Sequence, residues 1–176
     1  SRDNRPGMIA PGFDLEEVDM VFLQKSLEFL ESHKQKSPDK PFFLFHSAQA
    51  VHLPSFAGRA FKGKTEAGPH GDFIFELDYV VGRLMSKLDQ LGYGENTLVI
   101  FSSDNGPEVP TVIDMRKTHK HDGARPWRGV KRDQWEGGHR VPFIARWPKN
   151  IKHGSTSAQT ICITDVMATC AALTGA

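Results

Sequence analysis

The stretch Asn96-Thr97-Leu98-Val99-Ile100-Phe101-Ser102-Ser103-Asp104-Asn105-Gly106-Pro107 is an apolar run that stops on an Asp-Asn pair and a Gly-Pro turn. Leu98, Val99, Ile100 and Phe101 are apolar and largely β-branched or aromatic, as a strand covered on both faces requires. Gly106-Pro107 ends the run abruptly. Asp104 and Asn105 therefore stand just past the carboxyl end of a strand, where open α/β sheets bind ligands. A carboxylate oxygen beside an amide oxygen is a hard donor set, suited to Ca²⁺ or Mg²⁺ rather than to a soft or imidazole-preferring metal. Asp-Asn-Gly is also a common turn for purely local reasons, so the tripeptide needs support from elsewhere in the chain.

Upstream of this strand, Phe73, Leu77, Val80, Val81, Leu84, Leu88 and Leu91 recur at helical spacing and predict an amphipathic helix over 71–92, closed by Gly92 and Gly94. Before it, Pro41 to Ser47 reads as a strand and 48–70 as a long loop rich in Gly, Pro and charge. An extended Pro-rich leader runs to Phe13. Asp14-Leu15-Glu16-Glu17 then gives a capping-box-like start to a helix ending near His33, whose apolar face is Val18, Val21, Phe22, Leu27 and Leu30. Downstream, a long polar loop spans 105–140, a strand 141–147, and a last helix begins near Thr164. Strand, helix, strand in that order predicts an α/β fold with parallel pairing and a right-handed crossover.

A second motif supplies the support. Arg128-Gly129-Val130-Lys131-Arg132-Asp133-Gln134-Trp135-Glu136-Gly137-Gly138-His139-Arg140-Val141-Pro142, taken with Ser103-Asp104-Asn105-Gly106-Pro107, resembles the formylglycine-dependent sulfatases of the alkaline-phosphatase-like superfamily. Pro41-Phe42-Phe43-Leu44-Phe45-His46-Ser47 and Val51-His52-Leu53-Pro54 look like that family's strand and His-x-Pro loop, and the likeness runs from Phe13 to the end. The resemblance implies that Asp104 and Asn105 are two ligands of an active-site calcium, and that Lys131 and His52 contact the substrate sulfate. It also implies an alkaline-phosphatase-like sandwich with a largely parallel central sheet flanked by helices, of which residues 1–176 are the central to carboxyl-side part of the catalytic domain.

One departure matters most. The family's nucleophile is a formylglycine made from Cys in a Cys-x-Pro/Ala-x-Arg setting, and neither Cys162 nor Cys170 is followed by that pattern. A consecutive Asp pair expected near the amino terminus is missing as well. The chain opens on Ser1, so the expectation is a fragment whose nucleophile and remaining calcium ligands lie outside it.

Three functions remain in view. The resemblance favours a sulfuric ester hydrolase cleaving aryl or glycan sulfate with Ca²⁺, with Mg²⁺ as the second choice of ion. A related metal-dependent phosphatase or phosphonate hydrolase is the first alternative; such relatives carry His where Asn105 stands, and an amide oxygen disfavours zinc. The other is a non-catalytic homologue that binds sulfated glycans.

The 22 basic and 21 acidic residues leave a net charge of +1, which argues against a nucleic-acid partner or a polybasic membrane surface. The apolar runs are too short for a membrane span. Two cysteines make no disulfide framework, and periplasmic, secreted or lysosomal placement follows from the resemblance alone. His119, His121, Asp122 and His139 match no zinc template and read as loop residues. Glu136 and Arg140 are expected to form an ion pair holding the lysine loop. Trp127, Trp135 and Trp147 either pack or line a cleft, and Cys170 is expected to act as a small apolar residue.

Overall fold

The computed structural model describes residues 7–175, so the first six positions of the Pro-rich leader lie outside the described residues. The chain divides into two compact units, one of residues 7–94 with 108–123 and the other of 95–107 with 124–175.

The first unit is built on two helices, α1 (Val18–Lys36) and α2 (Gly68–Gln90). Asp14 accepts the Glu16 N–H at 3.1 Å and caps a single 3-10 turn, Leu15–Glu17, that leads into α1. The face that α1 buries is Val18, Leu23, Ser26, Leu27 and Leu30. Val21 and Phe22, expected on that face, are instead 53% and 45% exposed. The reason is that Leu23 and Leu27, one helical turn apart, meet Val80 of α2 and turn Val21 and Phe22 away.

α2 starts three residues earlier than its apolar periodicity suggested, with Pro69 in the first turn, where its missing N–H costs nothing. Its carboxyl end is a Schellman motif. Tyr93 N–H donates to Leu88 O at 2.8 Å and Gly92 N–H to Asp89 O at 3.0 Å, with Gly92 at φ 77°. Phe73 and Val80 are 1% exposed, and Phe73 closes a cluster with Ala50, Ala57 and Phe61.

The second unit holds β1 (Val99–Ser102) and β2 (Phe143–Arg146), paired antiparallel with Val99 opposite Arg146 and Ser102 opposite Phe143. The expected parallel sheet is not seen among the described residues: β1 has β2 as its ladder partner and the sheet has two strands. Residues 41–47 form no ladder either, although they keep a strand's alternation. Phe42, Leu44 and His46 are half-buried, while Phe43 and Phe45 are 76% and 79% exposed. A strand is defined by its hydrogen-bonded partner, and this segment packs by side chains alone: Phe42 meets Phe29 edge-on and His46 meets Ser26 at 2.9 Å.

The loop expected over 105–140 contains two further helices, α3 (Val109–His119) in the first unit and the short α4 (Glu136–His139) in the second. Glu108 caps α3 by accepting the Val109 N–H, and Lys120 ends it at φ 54°. The last helix, α5 (Asp165–Thr174), begins where expected. No helix among the described residues is long and apolar enough to cross a membrane.

Candidate active site

In the second unit, backbone hydrogen bonds bolt the turn after β1 to the lysine segment. Gly106 N–H donates to Gly138 O and Lys131 N–H to Pro107 O, each at 2.8 Å. The approach is so close that a Cβ on Gly106 would lie 1.9 Å from Gly137 O, and one on Gly137 would lie 2.1 Å from Gly129 O. Glycine is required at both positions for space, because backbone meets backbone.

Asp104, at the tip of this turn, is exposed, and Asn105 is half-buried. Asn105 Nδ2 donates to Gly106 O at 2.9 Å, which commits its amide nitrogen to the turn and leaves Oδ1 as the side chain's acceptor. Lys131, half-buried, sits in a turn in which Val130 N–H donates to Asp133 Oδ2 at 3.0 Å and Asp133 N–H to Val130 O at 2.9 Å.

The expected pair forms: Arg140 donates to Glu136 at 2.9 Å. The two arginines also stack, Arg140 over Trp127 at 4.0 Å and Arg128 over Trp135 at 3.8 Å. This gives both tryptophans a packing role in the frame of the lysine segment. Trp147 donates to Asn96 Oδ1 at 3.3 Å.

His52 lies in the first unit, on the loop between 41–47 and α2. Its Nδ1 is 2.5 Å from Leu53 O. A carbonyl only accepts, so Nδ1 carries the proton of this contact and Nε2 is the other ring nitrogen.

What holds this loop was missed in the sequence. Three buried carboxylates on the helices accept its backbone N–H groups. Asp19 takes Gln49 and Ala50 at 2.7 and 2.8 Å, Glu76 takes Gly58 at 2.7 Å, and Asp72 takes Gly63 and Thr65 at 2.7 and 2.8 Å with the Thr65 hydroxyl at 3.0 Å. Burial pushes the Glu76 carboxyl above its ordinary value, aided by Asp19 and Glu17 and opposed by the Gly58 N–H. Burial pushes Asp72 the same way, but its donors from Gly63 to Thr65 outweigh it and hold the carboxyl below its ordinary value. A signal was available: Asp72 and Glu76 fall one turn apart beside Phe73 and Val80, inside the apolar stripe of α2.

Two more residues of this unit are linked, the Ser55 hydroxyl lying 3.1 Å from His70 Nδ1. The loose His/Asp group does not assemble: His119 abuts Gly68, Asp122 pairs with Arg116 at 2.5 Å, and His139 closes α4 in the second unit. Among the described residues no group of three or more His, Cys, Asp or Glu is arranged to hold a metal ion. Asp104 and Asn105 thus fit Ca²⁺ by donor chemistry, as contributors of two oxygens to an ion that takes about 6 to 8. Cys162 is exposed and Cys170 half-buried, both as free thiols.

A family model described as sulfatase matches residues 3–176. The N-acetylgalactosamine-6-O-sulfatase of Bacteroides thetaiotaomicron is 37% identical over 161 residues, 90% of this chain and 30% of the relative. Mouse steryl-sulfatase is 39% identical over 137 residues, 78% of this chain and 22% of the relative. The crystal structure of a Pseudoalteromonas sulfatase superposes with a TM-score of 0.82 at 32% identity, over 96% of this chain and 33% of that one. The chain spans a third or less of the length of these proteins. From the Asp-Asn turn through the lysine segment to the α/β arrangement around them, the chain belongs to the sulfatase family.

Proposed function

We propose that this chain forms part of the active site of a sulfuric ester hydrolase acting on a sulfated small molecule or glycan. Asp104 and Asn105 Oδ1 would hold Ca²⁺, with Mg²⁺ as the second choice. When bound, the ion would offset negative charge on the sulfate and orient the ester. Lys131 presents a compact ammonium to a sulfate oxygen, as a point charge rather than a fork. His52, its Nδ1 engaged by Leu53 O, turns its other ring nitrogen to the sulfate ester. The formylglycine nucleophile comes from sequence outside these 176 residues.

The observation that carries this reading is the pair of backbone bonds joining the Asp104-Asn105 turn to Lys131. They hold two hard oxygen donors and a cation in one frame, and such preorganisation is what charge stabilisation in a transition state demands. The same reading takes 41–47 as a strand of a larger, largely parallel sheet completed by sequence outside this chain, supported by the unbroken apolar run Phe42 to Phe45, which suits a strand covered on both faces.

The test uses the complete protein. Sulfate release from an aryl sulfate and from sulfated oligosaccharides is expected, with loss on Ca²⁺ chelation and recovery on Ca²⁺ addition. Matching aryl phosphate and phosphonate esters serve as the contrast. Hydrolysis of those esters in preference to the sulfates, or activity restored by Zn²⁺ alone, would overturn the assignment in favour of a phosphatase.

A further inference from the structure

Three parts of the first unit converge on one imidazole. His70 is the third residue of α2, so the helix fixes its backbone. Its Nδ1 is 3.1 Å from the hydroxyl of Ser55, three residues beyond His52. Asp114 in the middle of α3 and His121 just past its end act on the charge of His70, while His119, the last residue of α3, abuts Gly68, where an added Cβ would lie 2.7 Å from its Nε2. Burial, with His121 beside it and Asp114 opposing, lowers the proton affinity of His70 below that of an ordinary histidine. A neutral imidazole keeps a lone pair on one ring nitrogen and a proton on the other, and the hydroxyl partners either.

The position of this contact gives it meaning. Asp19 grips the His52 loop at Gln49 and Ala50, and Glu76 grips it at Gly58. The turn His52-Leu53-Pro54-Ser55 falls in the span between these grips, and the Ser55 hydroxyl ties the end of that turn to α2. We propose that His70 is a positioning residue for the sulfatase reaction, holding the His52 turn on the α2 frame through Ser55 so that His52 meets the sulfate ester in register. This rests on reading His52 as a sulfate contact. A misplacement of about 1 Å at a reacting group costs on the order of 100-fold in rate, so even a partial slackening of the turn is measurable.

The test is a set of variants of the complete protein, assayed for aryl sulfate turnover and thermal melting. Ser55→Ala and His70→Phe are each expected to lower kcat/KM by roughly ten-fold, the scale of one neutral hydrogen bond, with melting unchanged. The double variant is expected to be no worse than either single, because both remove one contact. His70→Asn, whose amide falls where Nδ1 stands, should recover most of the activity; His70→Gln, reaching toward the place of Nε2, should not. Additive losses, equal rescue by Asn and Gln, or activity that falls only in step with melting temperature would overturn the proposal by making His70 a stability residue. Wild-type rates in both single variants while His52→Ala is inactive would sink the positioning role and spare the sulfate contact. Full activity in His52→Ala would remove both.

Discussion

Gly106→Ala should damage this protein, although it adds a single methyl group. The new Cβ would lie 1.9 Å from Gly137 O, 2.9 Å from Gly137 C and 3.2 Å from Gly138 C. All three are backbone atoms, so no flexible side chain can yield. Overpacking of this kind costs about 1–3 kcal/mol. The displacement also breaks the Gly106–Gly138 hydrogen bond, worth about 1 kcal/mol, for a total near 2–4 kcal/mol. Gly82→Ala is the internal control. Gly82 lies within α2 with nothing inside 4 Å of its added Cβ, so alanine there should stabilise by about 0.5–1 kcal/mol. Equilibrium urea denaturation reads both. Activity should fall in Gly106→Ala and hold in Gly82→Ala, because the first parts the Asp104 turn from the lysine segment. A Gly106→Ala midpoint within about 0.5 kcal/mol of wild type would refute the close approach and the frame built on it.

Lys131→Ala in the complete protein should reduce turnover by about 100- to 1000-fold with melting unchanged, and Lys131→Arg should rescue in part; Lys149→Ala, on the turn after β2, is the comparison, and a greater loss there would show that the lysine segment has been misaligned to the site. Glu76→Gln keeps an acceptor for the Gly58 N–H but cannot ionise. The folded carboxyl of Glu76 is raised above its ordinary 4.5, so wild-type stability from this group is present below that pH and lost as pH rises through the raised value. The stability of Glu76→Gln relative to wild type should therefore grow between pH 4 and pH 7; a difference that is flat or shrinks with pH contradicts the burial argument. Calorimetry on this chain alone should show Ca²⁺ binding weaker than about 1 mM. Of the acids that follow in sequence, Glu108 caps α3, Asp114 accepts from Thr118 and Asp122 pairs with Arg116. Tight stoichiometric binding would mean that other groups here complete the site.

What the sequence disclosed and what it hid divide along a physical line. α2 was legible because its apolar residues repeat at the helical period and its end carries Gly92. α3 was hidden: only Thr111, Val112 and Met115 are buried along it, and the Glu108 cap and Pro110 in its first turn were the better signs. The partner of β1 was not legible, since an apolar run says that a strand is covered but not which segment donates to it. Among the site residues, Asp104 and Asn105 stood out just past a strand's end and Lys131 through the family resemblance, and backbone bonds tie their two segments together. The Asp19, Asp72 and Glu76 grips were missed because a charged residue on a helix is read as facing solvent until its hydrogen-bond partners are known.

Those grips also bear on how freely the His52 loop can vary. A carboxylate that accepts a main-chain N–H recognises the amide and is indifferent to the side chain beyond it, so Asp19, Asp72 and Glu76 impose almost no residue preference of their own at Gln49, Ala50, Gly58 and Gly63; Thr65, whose hydroxyl Asp72 also accepts, is the exception. Proline is the one residue that each grip itself forbids, for want of the N–H. A designer, or natural drift, can therefore rewrite the outward side chains of this loop, and with them whatever surface it offers to a substrate, while the path of the chain through His52 stays put. The invariants of such a loop reside in the helices beneath it.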